Sequence, residues 1–336
     1  MRADEYHTTA GVILSLHWQR REIPYVFTPC HIDGDMTTDS TAPLDEVDPE
    51  SVTPGAVDES DVHGALASSD PLIRQRGANV CETLAEQNVD TVVPFLDAIA
   101  SLAGEDNAPI ALRAIGILDA VVEDDPHALD SRVSGLIDAL DSDVVDVRLT
   151  TGTVLGKLVV ERPELVAPHT QRLLDSLDDT EPDHTTTDIS TGTDRVTRQT
   201  LQRHEAAERN RLIAGRRTLI NVVVAVTETE PRSVFDSAVS LGALLDDVDP
   251  VVAGGAVDAL AELAAIDPTV VAPFGDRLID CLDRESTVVR ARAIRALGYL
   301  GDDAAIPKLR TVAETAADET VRSLATKTAN FLTDTT

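Results

Sequence analysis

The strongest chemical signal in this chain is a run of arginine. Between residues 195 and 217 the sequence RVTRQTLQRHEAAERNRLIAGRR carries seven Arg against two Glu. Guanidinium groups are planar, permanently charged forks of donors, suited to bidentate recognition of carboxylates and phosphates. No other stretch of the chain is strongly basic, and the whole holds 59 acids against 28 bases. Arg195, Arg198, Arg203 and Arg209 are therefore candidates for docking an acidic protein partner, a phosphate or nucleic acid. The competing reading pairs them with the chain's own carboxylates along an exposed helix. A polar segment precedes the run, DDTEPDHTTTDISTGT (178–193), whose Pro, Gly and Thr content reads as an exposed inserted loop.

Other reactive groups do not converge. His204-Glu205 is a single His-Glu step, and Cys30-His31 with His7 and His17 follows no metal-ligand spacing. The three cysteines (Cys30, Cys81, Cys281) are odd in number and far apart, so they form no disulfide framework and fit a reducing cytoplasm. No GxGxxG, P-loop, GxSxG or HExxH pattern occurs. Gly254-Gly255 falls inside a predicted helix and reads as room for close helix packing. No catalytic residue, metal or cofactor is expected. No apolar run approaches the length of a membrane span, and Val12–Leu16 is too short for a signal-peptide core.

The acidity itself is a poor guide to partners. Acids are spread along the whole chain and only three lysines occur (Lys157, Lys308, Lys327). That distribution reads as a solubility adaptation to molar salt, of haloarchaeal type, rather than as one acidic face. At such salt the Debye length is about 3 Å, so long-range steering is weak.

The elements that must position the arginines are legible as repeats. The first 35 residues stand apart: they hold the only Trp (Trp18), two of three Tyr and three of eight His. From Met36 the style changes, with eight acids and no base between Met36 and Asp61. Residues 36–56 read as a disordered acidic lead-in, and Met36 is a candidate for the true start, with 1–35 an over-extended gene call. Self-similarity then begins. In 125–141, 162–178, 230–246 and 267–283 a Pro is followed ten and fourteen positions later by Leu, and then by Asp. Proline is tolerated in a first helical turn, and apolar residues at three- and four-residue intervals give one buried stripe. The closing Asp is placed to cap the next helix. A second helix follows each unit, as in 143–158, 286–300 and 318–332, with a Val-Arg step near its start.

This pattern of Pro-led first helix, Asp turn and Val-Arg-x-x-Ala second helix, often ending Leu-Gly, resembles the HEAT-repeat family over roughly residues 57–334. The segment VRARAIRALGYLG also resembles HEAT-like repeats of the phycobilin-lyase type. The resemblance implies an all-α fold, an α-solenoid (α-α superhelix) of about seven antiparallel helical hairpins: 57–87, 89–123, 126–161, 163–227, 231–265, 268–300 and 303–334. A hairpin of this size cannot bury its own stripe, so neighbours must stack into one core. The resemblance implies that Arg113, Arg148, Arg217, Arg290 and Arg322 are structural, each reaching a turn Asp of an adjacent repeat. Second helices line the concave surface of such arrays, which makes Arg74, Arg76, Arg292 and Arg295 groove candidates. HEAT-type di-iron hydroxylases need several His-Glu pairs in related repeats, and this chain has one. The function expected is a cytoplasmic, non-catalytic protein–protein interaction scaffold using the concave surface and the Arg-rich helix, with no membrane partner. The alternatives are a nucleic-acid-binding array and a prosthetic-group lyase or maturation factor.

Overall fold

The computed structural model describes residues 43–180 and 195–335. The head 1–35 with His7, His17, Cys30 and His31, the first part of the lead-in, and most of the inserted loop lie outside the described residues.

Among the described residues, fourteen α-helices of six residues or more form seven successive hairpins. They are α1 (Glu59–Leu66) with α2 (Pro71–Gln87), α3 (Leu96–Ala103) with α4 (Ala108–Asp124), and α5 (Val133–Asp138) with α6 (Val145–Glu161). Then come α7 (Thr170–Asp178) with α8 (Arg195–Thr229), α9 (Ala238–Ala243) with α10 (Pro250–Ile266), α11 (Gly275–Asp280) with α12 (Thr287–Leu300), and α13 (Ile306–Thr315) with α14 (Glu319–Thr335). The second helices pack on one another in unbroken chain order, from α2 to α14. The chain is thus an all-α solenoid with one continuous core, which no single hairpin could bury alone.

The repeated leucines are where the periodicity puts them. Leu136, Leu140, Leu173, Leu177, Leu241, Leu245, Leu278 and Leu282 are all buried. The first helices differ from the unbroken amphipathic helices expected. From the second hairpin on, each begins as a short Pro-led or 3₁₀ turn and restarts as a brief α-helix. In three of them the cause is a proline inside the helix, Pro94, Pro168 or Pro273, which lacks an N–H and crowds the preceding turn.

The closing aspartates also do something other than capping. The caps come three residues later, where Asp249 accepts from the Val251 N–H (2.9 Å) and Ser286 from the Val289 N–H (3.4 Å). The closing Asp141, Asp246 and Asp283 instead pair with Arg172, Arg277 and Lys308 of the next repeat. In α10, ten successive residues from Val252 to Ala261 are buried between α8 and α12. Gly255 permits that approach: a Cβ there would lie 2.5 Å from Ile220 Cγ1 of α8. Gly301 ends α12 in the left-handed region at φ 73°, the Leu-Gly signature of the repeat.

The lead-in is not the featureless segment its composition predicts, at least from Pro43 on. Leu44 and Val52 are buried, and Arg76 and Gln87 of α2 donate to the backbone carbonyls of Leu44 and Val52. Two apolar anchors hold an otherwise acidic strap to the first hairpin.

Candidate functional site

The Arg-rich run is the first part of α8, the longest described helix at 35 residues. Its sequence splits the helix in two. From Leu212 onward apolar residues recur at helical spacing, and Leu219, Ile220, Val222, Val223 and Val226 are buried against α6 and α10. Before that point the spacing supplies no apolar stripe, and every residue from Leu201 to Asn210 is exposed. At 1.5 Å per residue, the stretch from Arg195 to Asn210 is an arm of about 24 Å.

Arg203 and Arg209 lie on this arm, and among the described residues neither has a carboxylate within ion-pair distance. The backbone of Arg195 and Arg198 belongs to the same helix. At 3.6 residues per turn, Arg203 and Arg209 point about 120° apart around the axis, so the arm presents charge on more than one side. His204 faces Glu208 at 3.2 Å one turn on. At the base of the arm the arginines change role: Arg211 pairs with Asp146, Arg216 with Asp247 and Arg217 with Asp249.

The four groove candidates are all tied down. Arg74 binds Glu105 through Nε and Nη2 and gives Nη1 to the Ser68 carbonyl. Arg76 pairs with Asp45, while Arg292 and Arg295 both reach Asp258, and Arg295 also Glu262. Asp45 belongs to the strap and the other acids to a neighbouring repeat, so none of the four is a free donor lining a groove.

The structure reassigns the repeat arginines. Arg74, Ala111, Arg148, Arg216, Ala253, Arg290 and Arg322 are equivalent: seven residues beyond each lies a buried core residue, in order Cys81, Leu118, Leu155, Val223, Leu260, Leu297 and Ala329. Arg74 therefore belongs with Arg148, Arg290 and Arg322. Arg113 sits two positions further on and pairs with Glu82 in mid-helix, and Arg217 sits one position off, with Arg216 in the true slot. Three of the slot arginines grip turn carbonyls of their own hairpin: Arg74 that of Ser68, Arg148 that of Ser142, and Arg322 those of Ala316 and Ala317.

The slot has a natural counterpart in the next repeat, two residues before the cap of its second helix. Glu105 holds that place for Arg74 and Asp247 for Arg216. In the last repeat Ala316 holds that position, and the Nε of Arg290 is buried without a hydrogen-bond partner. Sequence reading missed Arg216 and Asp247. The one-residue offset hides them, because Arg216 and Arg217 are adjacent and either fits a Val-Arg step loosely.

A second charged cluster spans α8, α10 and α12, where Glu228, Asp258 and Glu262 meet Arg292 and Arg295. Burial raises the Asp258 carboxyl, with both arginines opposing. Glu228 keeps an exposed side chain, yet its carboxyl is also raised, by lost solvation first and then by the charges of Glu262 and Asp258. Cys81 and Cys281 are buried thiols, and burial pushes Cys81 up to about 12, far from thiolate chemistry. Among the described residues no three His, Cys, Asp or Glu side chains converge in a metal-binding group, and no helix is long and apolar enough to cross a membrane.

A family model for HEAT repeats matches residues 238–330, which hold the last three hairpins almost entirely. The sequence has no match among curated proteins. Among solved structures the chain is similar to computationally designed armadillo repeat proteins for modular peptide recognition, with 16% identity, coverage of 80% of this chain and 98% of that one, and a TM-score of 0.45. It is also similar to an archaeal HEAT-like repeats protein from Thermococcus onnurineus NA1, with 12% identity, coverage of 83% and 98%, and a TM-score of 0.48. The chain is thus an α-solenoid of seven stacked hairpins, and a HEAT-repeat family model matches the last three of them.

Proposed function

We propose that this protein is a non-catalytic interaction scaffold whose docking element is the arm of α8, and that its partner is a protein presenting carboxylates. The observation that carries this reading is the exposure of every residue from 201 to 210, with Arg203 and Arg209 free of ion-pair partners among the described residues. Elsewhere in the array this acidic chain gives most of its arginines a carboxylate. Arg203 and Arg209 stand without one on the exposed, unpacked part of a single helix. A lone helix of this length gains little from its own hydrogen bonds in water, so packing by a partner would add stability that the array does not supply.

Nucleic-acid binding is less well supported. It needs a continuous basic surface for phosphates, and Arg74, Arg76, Arg113, Arg292 and Arg295 are engaged with Glu105, Asp45, Glu82, Asp258 and Glu262. The test is affinity capture from the source organism in high salt, comparing wild type with Arg203→Glu/Arg209→Glu. Loss of a specific protein at unchanged melting temperature supports the proposal. Capture that is the same for both chains counts against it, and capture of nucleic acid that falls steeply with salt moves the assignment to the alternative.

A further inference from the structure

At the base of the arm, Arg216 and Arg217 reach across to the turn before α10, where they hold Asp247 and Asp249. Residues seven apart in an α-helix lie almost on one face. Arg209 therefore sits on the side of α8 that Arg216 occupies, about 10 Å further out along the axis. That side is toward α10. The opposite flank is toward α6, which Arg211 reaches through Asp146.

The turn below Arg209 shows apolar side chains to solvent. Val248, between the two engaged aspartates, is 51% exposed, and Val251, in the first turn of α10, is 37% exposed. Val288 holds the place equivalent to Val251 in the next repeat and is 54% exposed: each stands two residues before its slot residue, Arg290 and Ala253 respectively. Neighbouring helices pack about 8–10 Å apart, so the valines continue from the base of the arm onto the adjoining repeat. Most acids of these two turns are neutralised, Asp246 by Arg277, Asp247 by Arg216, Asp249 by Arg217 and Asp283 by Lys308. Glu285 makes no ion pair among the described residues. Charge alone would hold a partner poorly on the arm, because an exposed ion pair gives little net free energy and less as salt rises. Contact between apolar surfaces is not screened in this way, and the valines offer it next to the arginines.

We propose that the arm and these valines form one composite docking surface, whose occupant is an acidic amphipathic helix of a protein partner. Its carboxylates meet Arg203 and Arg209, and its apolar side chains cover Val248, Val251 and Val288. The inference rests on the reading of the arm as the docking element and narrows it. The partner segment must carry acids on one face and apolar residues on the other; a uniformly acidic chain does not fit.

The test uses the full chain and a labelled, helix-forming synthetic peptide with glutamates on one face and leucines on the other, read by fluorescence anisotropy. A control peptide carries serine in place of each leucine. The leucine peptide should bind in low salt and in molar sodium chloride, and the serine peptide should bind more weakly and lose its binding in molar salt. Val248→Ser/Val251→Ser/Val288→Ser should weaken the leucine peptide by about tenfold at unchanged melting temperature, and Arg203→Glu/Arg209→Glu should weaken it in low salt. Loss with the arginine variant while the valine variant keeps wild-type affinity overturns this inference and leaves the arm as a docking element. Loss with the valine variant alone overturns the reading of the arm, and the composite surface with it. Equal binding of the two peptides, or no binding of the leucine peptide by the wild-type chain, also overturns the composite surface.

Discussion

Asp246 and Asp247 are neighbours in one turn, and each pairs with an arginine 31 residues away, Arg277 and Arg216 respectively. Their environments are opposite. The side chains of Arg216 and Asp247 are 2% and 3% exposed, those of Arg277 and Asp246 36% and 77%. Asp→Asn at each position removes the charge and little else. At 247 the amide oxygen can still accept from the Asp249 N–H, which Asp247 Oδ1 does now at 2.8 Å, so the turn itself is spared. Asp247→Asn leaves a guanidinium buried without its counter-charge, and breaking a buried pair in this way costs about 3–5 kcal/mol. For a chain of this size, at about 2–4 °C per kcal/mol, the melting temperature should fall by roughly 10 °C. Asp246→Asn opens a pair that water and salt already screen and should cost less than about 1 kcal/mol. Adding Arg216→Met to Asp247→Asn should restore much of the loss, because the stranded charge is then gone. Thermal unfolding followed by far-UV circular dichroism reads all of these. Equal losses at 246 and 247, or a cost below about 1 kcal/mol at 247, would refute the claim that the Arg216 slot locks the fourth and fifth repeats together.

Other changes follow from the same geometry. Ala316→Asp should supply the counterpart that Arg290 lacks and stabilise the last two repeats by about 1 kcal/mol; a neutral or negative effect in urea unfolding would show that the slot needs no acid there. Glu228→Gln should raise stability at neutral pH. The folded-state pKa of Glu228 lies above its ordinary 4.5, so its ionised form is penalised in the fold at higher pH, and the penalty is relieved as pH falls through the raised value. The gain from Glu228→Gln should therefore shrink on acidification and be gone below pH 4.5; a gain that is independent of pH would contradict it. Arg203→Glu and Arg209→Glu, on a fully exposed helix, should each move stability by no more than about 0.5 kcal/mol in the same unfolding assays.

Much of the fold was legible because stacked helical hairpins repeat one decision. The leucines ten and fourteen residues after Pro126, Pro163, Pro231 and Pro268 mark the buried stripe of each first helix, and all eight are in the core. The arm was legible for the complementary reason: apolar spacing begins only at Leu212, so the arginines before it have nothing to pack against. What the sequence hid was register between repeats. Arg74 looked like a groove residue and Arg113 like a slot residue because a Val-Arg step tolerates a shift of two, whereas packing on Cys81 and Leu118 does not. Likewise, a turn reading DDVDP offers Asp246, Asp247 and Asp249 to three partners, and only the stacked neighbour decides which carboxylate meets which arginine. Composition alone also missed that Leu44 and Val52 pin the acidic strap.

The most direct test of the scaffold reading is hydrogen–deuterium exchange across α8, with and without the partner recovered by affinity capture. In the free chain, amides of 201–210 should exchange fast and those of 219–226 slowly, since only the latter are packed. Adding the partner should protect 201–210. Protection that appears elsewhere while 201–210 stays unchanged would contradict the assignment of the arm as the docking element.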